Sequence, residues 1–284
     1  MRKAFDLGVN WIDTAAIYGL GHSETLVSKA LEGRRDEVIV ATKCSLVWDS
    51  QGRIVSSLAK DSVRRECEAS LRRLRTDRID LYQIHWPNDD AHLEEGWSEI
   101  ARLVQEGKVR HGGLSNFSPE QMERARPIHP IASLQPPYSM LRRSVETHAL
   151  SYCHAHQIGV LAYSPMHSGL LSGSFDPQRL APNDWRGHDA EFQAPALTVT
   201  LELVEALRPI AARHDKTVGQ LAVAWVLRRS EITSAIVGAR RPSQIEQLAG
   251  ATGWRLTEDE VARIDELILA RDKRVPSAET RFRA

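Results

Sequence analysis

The chain has 284 residues, with 37 Lys and Arg against 37 Asp and Glu and 42% hydrophobic residues. That balance excludes a disordered or fibrous chain, and zero formal charge argues against a nucleic-acid binder, which needs a basic surplus to neutralise phosphates. No stretch of about 18 uninterrupted apolar residues is present, Gly8-Val9-Asn10 breaks any leader-like core, and Cys44, Cys67 and Cys153 are spaced as reduced thiols, so a soluble cytoplasmic protein is expected.

Taken in chain order, residues 1–7 read as the last turns of a helix that Gly8 stops. A strand ahead of that helix is therefore expected to be missing from this chain. Short apolar or β-branched runs follow at 9–15, 37–43, 78–85, 109–116, 131–135, 159–163 and 234–238. Runs such as Val38-Ile39-Val40-Ala41 are apolar on both faces, which predicts strands buried on two sides of a parallel sheet. Helical patterns lie between them. Asp61-Ser62 opens one whose Val63, Cys67, Leu71 and Leu74 share a stripe, while Arg64, Arg65, Arg72 and Arg73 are expected in water. Ser118-Pro119-Glu120-Gln121 and Thr257-Glu258-Asp259-Glu260 predict two further helix starts, each with a capping box. No linker is long enough to divide the chain, so one domain over 1–284 is expected, with 272–284 as a tail.

Repeated βα units leave two architectures, an open doubly wound sheet or a (β/α)8 barrel. The first would carry Gly-x-Gly-x-x-Gly after its first strand. Here Gly19 and Gly21 are followed by Glu24, and bulky Tyr18 stands where a phosphate needs close backbone approach. The expectation is therefore an α/β chain of the TIM-barrel class, lacking its first strand. In such barrels the working groups lie at the C-terminal ends of strands. Those ends read Asp13 with Tyr18, then Lys43, His85, Asn116, Gln135, Tyr163 and Arg240. Each alone has a structural reading as a helix cap, a rim residue or a turn. Their collection at one rim points to chemistry.

Asp, Lys, Tyr and His form a self-consistent acid device. A phenol titrates near about 10 and is a poor donor at neutral pH, and an adjacent ammonium favours phenolate and lowers that value. A buried lysine needs a carboxylate, which Asp13 supplies. The histidine orients a carbonyl oxygen. Such a site suits negative charge developing on a carbonyl oxygen while another group delivers hydride.

Asp13-Thr14-Ala15 with Tyr18-Gly19, Ala41-Thr42-Lys43, and Asp80-Leu81-Tyr82-Gln83-Ile84-His85-Trp86-Pro87 resemble the aldo-keto reductase superfamily. Gly107-Lys108-Val109-Arg110, Ser115-Asn116-Phe117-Ser118, Gln135-Pro136-Pro137-Tyr138 and Gly238-Ala239-Arg240-Arg241-Pro242 continue the likeness in order. Gly21-His22-Ser23-Glu24, Arg186-Gly187-His188-Asp189 and Gly253-Trp254 are most similar to the bacterial branch of general stress protein 69 and inositol-utilisation relatives. The likeness runs from Gly8 to about Glu266.

That resemblance implies a (β/α)8 barrel binding NADP(H) without a Rossmann domain, and reversible reduction of aldehydes or ketones to alcohols. The family tetrad maps onto Asp13, Tyr18, Lys43 and His85, with Tyr18 as the general acid. Ser115, Asn116 and Gln135 match positions holding the nicotinamide carboxamide, and Tyr163 matches the aromatic stacked on the ring. Ser164, Pro165, Met166 and Ser168 match the pyrophosphate loop. Gly238, Arg240 and Gln244 match the grip on the adenosine 2′-phosphate and ribose, where an Arg fork reads phosphate bidentately and the helix start near Pro242 adds its dipole. Arg240 with Arg241 therefore favours NADP over NAD.

Three departures stand out: the absent first strand, Ser168 and Ser174 where many relatives carry a basic pair, and Met166-His167 in the same loop. Trp48 and Trp86 are expected to line a substrate pocket. Trp185 is expected in a mouth loop, and Trp254 on the outside. His148, His154 and His156 make no credible metal site, because residues two apart on a helix point to different sides. The alternative to an enzyme is a cofactor-binding regulatory protein, since potassium-channel β-subunits resemble this fold and keep the tetrad. A glycosidase wants a second carboxylate, which Asp13 lacks among the strand ends. Residues 46–60, 175–193 and the tail carry no readable substrate code, and the oligomeric state is not encoded legibly.

Overall fold

The computed structural model describes residues 1–275. Its strands are β1 (Trp11–Asp13), β2 (Ile39–Cys44), β3 (Leu46–Trp48), β4 (Ile54–Ser56), β5 (Ile79–Ile84), β6 (Val109–Ser115), β7 (Ser133–Gln135), β8 (Gly159–Tyr163) and β9 (Ile232–Ile236). Seven form one sheet in the order β1-β2-β5-β6-β7-β8-β9, which is chain order. The pairings are parallel, with Trp11 opposite Ile39, Ala41 opposite Leu81, Ile79 opposite Val109, Gly113 opposite Ser133, and Ser133 opposite Gly159. Parallel neighbours in chain order, joined by helices, give the α/β barrel-type fold that was expected, with seven strands in its main sheet among the described residues. The part of the expected tail at 276–284 lies outside the described residues.

Contacts cluster into two units, Met1–Pro136 with Ser151–Leu161, and Pro137–Leu150 with the chain from Ala162 onward. In the first, β5 is buried along its whole length, its polar Asp80 and Gln83 included. β2 departs from that expectation at Ile39, which is 36% exposed, while Val40 and Ala41 are fully buried. The helix Leu93–Gln105 places Leu93, Trp97, Ile100 and Leu103 on one buried stripe, each contributing about 1.5–3 kcal/mol by leaving water. The 109–116 run must present Gly112 there, because a Cβ would stand 2.9 Å from both Ile100 and Trp97.

Helix ends follow the local code. Arg2–Asp6 stops before Gly8, whose φ of +84° suits a residue without Cβ. The capping boxes at Ser118–Gln121 and Thr257–Glu260 form, opening helices Pro119–Ala125 and Glu258–Asp272. A third, at Thr217–Gln220, opens Val218–Leu227 and belongs to the second unit. That helix is buried nearly all round, and Trp225 lies under the Arg228 guanidinium at 3.6 Å.

Three expectations need correction. The strand expected at 234–238 is displaced to Ile232–Ile236. The 46–60 stretch, where no strand is expected from the sequence, contains the antiparallel hairpin β3–β4, with Val47 opposite Val55. In the helix Lys60–Leu74, Arg64 and Arg73 are not simply in water. Arg64 reaches Glu99 and Glu106 at 2.6 Å each, and Arg73 reaches buried Glu24 at 2.6 Å. Charged stems packed along a helix find carboxylates on the neighbouring helix, which hydropathy alone does not reveal. No helix among the described residues is long and apolar enough to cross a membrane.

Candidate functional site

The first unit gathers Asp13, Tyr18, Lys43 and His85 from three strand ends. Asp13 closes β1 and Lys43 lies near the end of β2, which run in parallel beside each other. Lys43 is 2% exposed, and its Nζ donates to Asp13 Oδ1 at 2.6 Å and to the Thr14 carbonyl at 2.9 Å. Burial pulls the Lys43 ammonium below its ordinary value, and the Asp13 carboxylate opposes that shift by charge and hydrogen bond. The other Asp13 oxygen accepts from Gln135 Nε2 at 2.9 Å. Gln135, expected to hold a carboxamide, thus has one amide hydrogen committed to Asp13.

Tyr18 sits in the turn after β1, made by Gly19 (φ +62°), Leu20 (φ +52°) and Gly21 (φ +93°). Gly21 is required twice over, by its left-handed backbone and because a Cβ would stand 2.6 Å from Arg73 Cδ. The glycines that mimic a dinucleotide loop therefore serve a turn that presents tyrosine. Glu24 behind them is buried, accepting from Thr42 and Arg73 at 2.6 Å each. The Lys43 Nζ stands 5.3 Å from the Tyr18 ring centre, and the His85 ring meets Tyr18 edge-on at 5.8 Å.

The electrostatics correct one expectation. On balance the phenol is not made acidic in the protein without its cofactor. Loss of solvent, then the Asp13 charge, push Tyr18 above its ordinary value, although 44% of its surface remains exposed. Burial and the Lys43 charge lower the His85 imidazolium to about 3. At neutral pH the cluster therefore holds a protonated phenol and a neutral imidazole.

Asn116, with φ +64°, donates from Nδ2 to the His85 carbonyl and to Ser115 Oγ, both at 3.0 Å. Ser115 Oγ donates to the Gln135 carbonyl at 2.9 Å. Hydroxyl and amide groups from β6 and β7 thus form one network with the tetrad. Trp86 stacks on His85 with ring centres 6.4 Å apart, whereas Trp48, at the end of β3, lies under the Arg73 guanidinium at 5.8 Å. Cys44 next to Lys43 is buried, and burial raises its thiol well above the ordinary range, so it is a packed thiol.

The second unit carries the other expected positions. Tyr163 ends β8, and Ser164 (φ +56°), His167 (φ +48°), Ser168 (φ +53°) and Gly169 (φ +101°) make the following segment a tight turn. The turn closes on itself: the His167 N–H donates to the Ser164 carbonyl at 2.9 Å and the Gly169 N–H to the Met166 carbonyl at 3.0 Å. Pro165 is buried and Met166 half-buried within that turn. His167 is a part that sequence reasoning noted only as a departure. It is buried, its Nδ1 lies 3.2 Å from Ser139 Oγ, and its Nε2 lies 2.9 Å from Glu191 Oε2. The pair resembles a hydrolytic Ser-His-acid array, but Ser139 is 1% exposed and its Oγ accepts from the Leu141 N–H, so it fastens the turn instead. Ser168 contributes its carbonyl to Arg186 at 3.0 Å.

Gly238, Arg240 and Arg241 are exposed just before the helix Pro242–Ala249. Gln244 Oε1 accepts from the Arg240 and Arg241 N–H groups at 2.8 and 3.1 Å, so its oxygen shapes this helix start. Trp185 is exposed and Trp254 packs on His214 at 4.7 Å. Among the described residues no three His, Cys, Asp or Glu side chains come together as a metal site.

The aldo/keto reductase family model matches residues 1–269. The chain is 39% identical over 272 residues to aldo-keto reductase YhdN of Bacillus subtilis, covering 94% of this chain and 82% of that protein. It is 31% identical over 284 residues to the NADH-specific methylglyoxal reductase of Escherichia coli, covering 95% and 87% respectively. The solved glycerol dehydrogenase AKR11B4 of Gluconobacter oxydans superposes with a TM-score of 0.90 at 39% identity, covering 99% of this chain and 87% of that one. Matched across its strands, its helices and the segments that carry Asp13, Tyr18, Lys43 and His85, the chain belongs to the aldo/keto reductase family.

Proposed function

We propose that this protein reduces aldehydes or ketones to alcohols, reversibly, with Tyr18 as the proton donor and NADP(H) as the nicotinamide cofactor. The carrying observation is the cluster in which Lys43 Nζ lies 2.6 Å from Asp13 and 5.3 Å from the Tyr18 ring, with His85 edge-on at 5.8 Å. Tyr18 starts protonated, the state a general acid needs, and gives its hydroxyl proton to the carbonyl oxygen. The buried Lys43 ammonium stabilises the phenolate that this transfer leaves behind. Asp13 holds Lys43, and Gln135 holds Asp13. Neutral His85 donates an N–H to the substrate oxygen and orients it. When bound, a reduced nicotinamide supplies the hydride that reaches the carbonyl carbon.

The donor sets fit such a cofactor. With the hydrogens of Ser115 and Asn116 donated within the protein, the oxygens of these two residues and the second Gln135 amide hydrogen are the groups that would complement a carboxamide. In the second unit, Tyr163 offers a ring face, the turn at Ser164–Ser168 offers two serine hydroxyls for phosphates, and Arg240 offers a guanidinium. The preference for NADP over NAD rests on Arg240, which matches a 2′-phosphate; the Escherichia coli relative is named for NADH, so this residue is the one to test. Arg240→Ala is expected to raise KM for NADPH about tenfold, a loss of about 1.4 kcal/mol, while leaving KM for NADH within twofold. Equal loss with both cofactors removes Arg240 as the phosphate reader.

Absorbance at the reduced-nicotinamide band, followed with a panel of aldehydes, ketones and sugars, tests the activity itself. Turnover with at least one carbonyl is expected, and tight fluorescence-detected NADPH binding with no turnover would make this a cofactor-binding regulatory protein. Trp86, stacked on His85, is proposed to border the substrate; Trp48 is proposed to do so from β3.

A further inference from the structure

The strand that delivers Lys43 ends in a strained corner. Ser45, two residues on, is fully buried and has φ +81°, a left-handed conformation that a residue with Cβ keeps only when its surroundings impose it. Four contacts impose it. Glu66 Oε2, from the helix Lys60–Leu74, accepts the Ser45 N–H at 3.0 Å. Ser45 Oγ accepts from the Trp86 N–H at 3.3 Å and donates to the Trp86 carbonyl at 3.2 Å. The Ser45 carbonyl accepts from the Ser57 N–H at 3.0 Å, beside the end of β4. One residue earlier, the Cys44 carbonyl accepts the His85 N–H at 3.1 Å. The corner therefore joins the segments bearing Lys43, His85 and Trp86.

Glu66 is 9% exposed, and Ser62 Oγ donates to its Oε1 at 3.1 Å. It takes no part in the proton transfer proposed above. Its charged neighbours are Arg65 and Arg73 on its own helix, while Cys44 from β2, Tyr82 from β5 and Cys67 face this interior as buried neutral groups. Arg73 is spent on Glu24. Burial pushes the Glu66 carboxyl up to about 7, against the hydrogen bonds from Ser62 and Ser45. An acid kept in so unfavourable a place, with both oxygens aimed at donors, needs a reason beyond helix packing, where Leu or Met would serve.

We propose that Glu66 is a positioning residue: by accepting the Ser45 N–H it holds the left-handed corner that sets Lys43 against Asp13 and Trp86 beside His85. The inference rests on the reading of Lys43 and His85 as groups that serve the reaction. Glu66→Met fills the same volume without an acceptor, whereas Glu66→Gln keeps an oxygen for Ser45 and an N–H for Ser62 Oγ. In the full chain, Glu66→Met is expected to lower kcat at least tenfold with KM for NADPH changed less than twofold. Glu66→Gln is expected to stay within threefold of the parent in both.

Hydrogen exchange at the Ser45 amide supplies a second readout. It should speed at least tenfold in Glu66→Met and remain slow in Glu66→Gln. Parental kcat in Glu66→Met, or an equally protected Ser45 amide in both variants, overturns the proposal. Should Glu66→Met not fold, Glu66→Ala, which also removes the acceptor for the Ser45 N–H, takes its place with the same two readouts, and a parental kcat or a parental Ser45 exchange rate there overturns the proposal. If the parent reduces no carbonyl, the functional reading fails, while the Ser45 exchange rates still decide the role of Glu66.

Discussion

Replacing Tyr18 by Phe is expected to lower kcat for carbonyl reduction by about 10²–10⁴-fold, the range a positioned proton donor contributes. The ring remains, with its edge-on contact to His85 at 5.8 Å and its face to Lys43 at 5.3 Å, so the fold and NADPH affinity should be nearly unchanged. Steady-state rates with fluorescence titration of NADPH separate the two effects. A variant that reduces carbonyls at the parental rate removes Tyr18 from the chemistry. The pH dependence carries independent information. Desolvation and the Asp13 charge hold Tyr18 above its ordinary value, so the phenol, the acid form needed for reduction, persists through neutral pH into alkaline solution. His85 is held neutral, with its protonation lowered to about 3, so it adds no inflection between about 5 and 8 where an ordinary histidine would titrate. The kcat profile for reduction is therefore expected to be flat from pH 6 to 9. A limb near about 6.5 would show that His85 is protonated in the working site.

Asp13→Asn is expected to destabilise the protein by about 3–5 kcal/mol at pH 7, because it leaves the buried Lys43 ammonium without its carboxylate. Lys43 is 2% exposed and would retain only the Thr14 carbonyl at 2.9 Å among the partners described above. The sign with pH follows from proton counting. Burial already lowers the folded-state value of Lys43, and without Asp13 it falls further. Below the ordinary lysine value the unfolded chain then binds more protons than the folded one, so the stability of the variant rises with pH. Urea unfolding at pH 6 and pH 9.5 should show the deficit shrinking at the higher value. The double variant Asp13→Asn with Lys43→Met should regain most of the loss, since no uncompensated charge remains. If the double variant is as unstable as the sum of the singles, the two groups do not act as a pair. All three proteins should be severely impaired in turnover.

How far the chain could be read varied by element. The 78–85 run was legible as a strand from Ile79, Leu81, Tyr82 and Ile84, whereas the burial of Asp80 and Gln83 within it was not legible, because only the neighbouring elements enclose them. The helix starts at Ser118 and Thr257 were legible because a capping box is local, contained within four residues. The hairpin β3–β4 was not legible. Ile54 and Val55 are more than half exposed, so the alternation that marks a half-buried strand is absent. Lys43 and Asp13 were legible as partners by type, yet nothing in their spacing showed that Gln135 takes the second Asp13 oxygen, 122 positions away along the chain. Ser45 and Glu66 gave no signal at all. A serine after a strand and a glutamate within a charged helix look like surface residues until the packing buries them.

Composition and order of residues alone determined that this is a βα-repeat protein of the aldo/keto reductase family and that Asp13, Tyr18, Lys43 and His85 fall at or just after strand ends. Those properties are local, or are additive along the chain. Tertiary structure decided the electrostatic character of that device. A pKa depends on which charges stand nearest and how much water is excluded, and both are set by strands brought together from distant parts of the chain. Tyr18 is raised on balance by burial and by Asp13, and His85 is kept neutral by burial and by Lys43, because packing places them so.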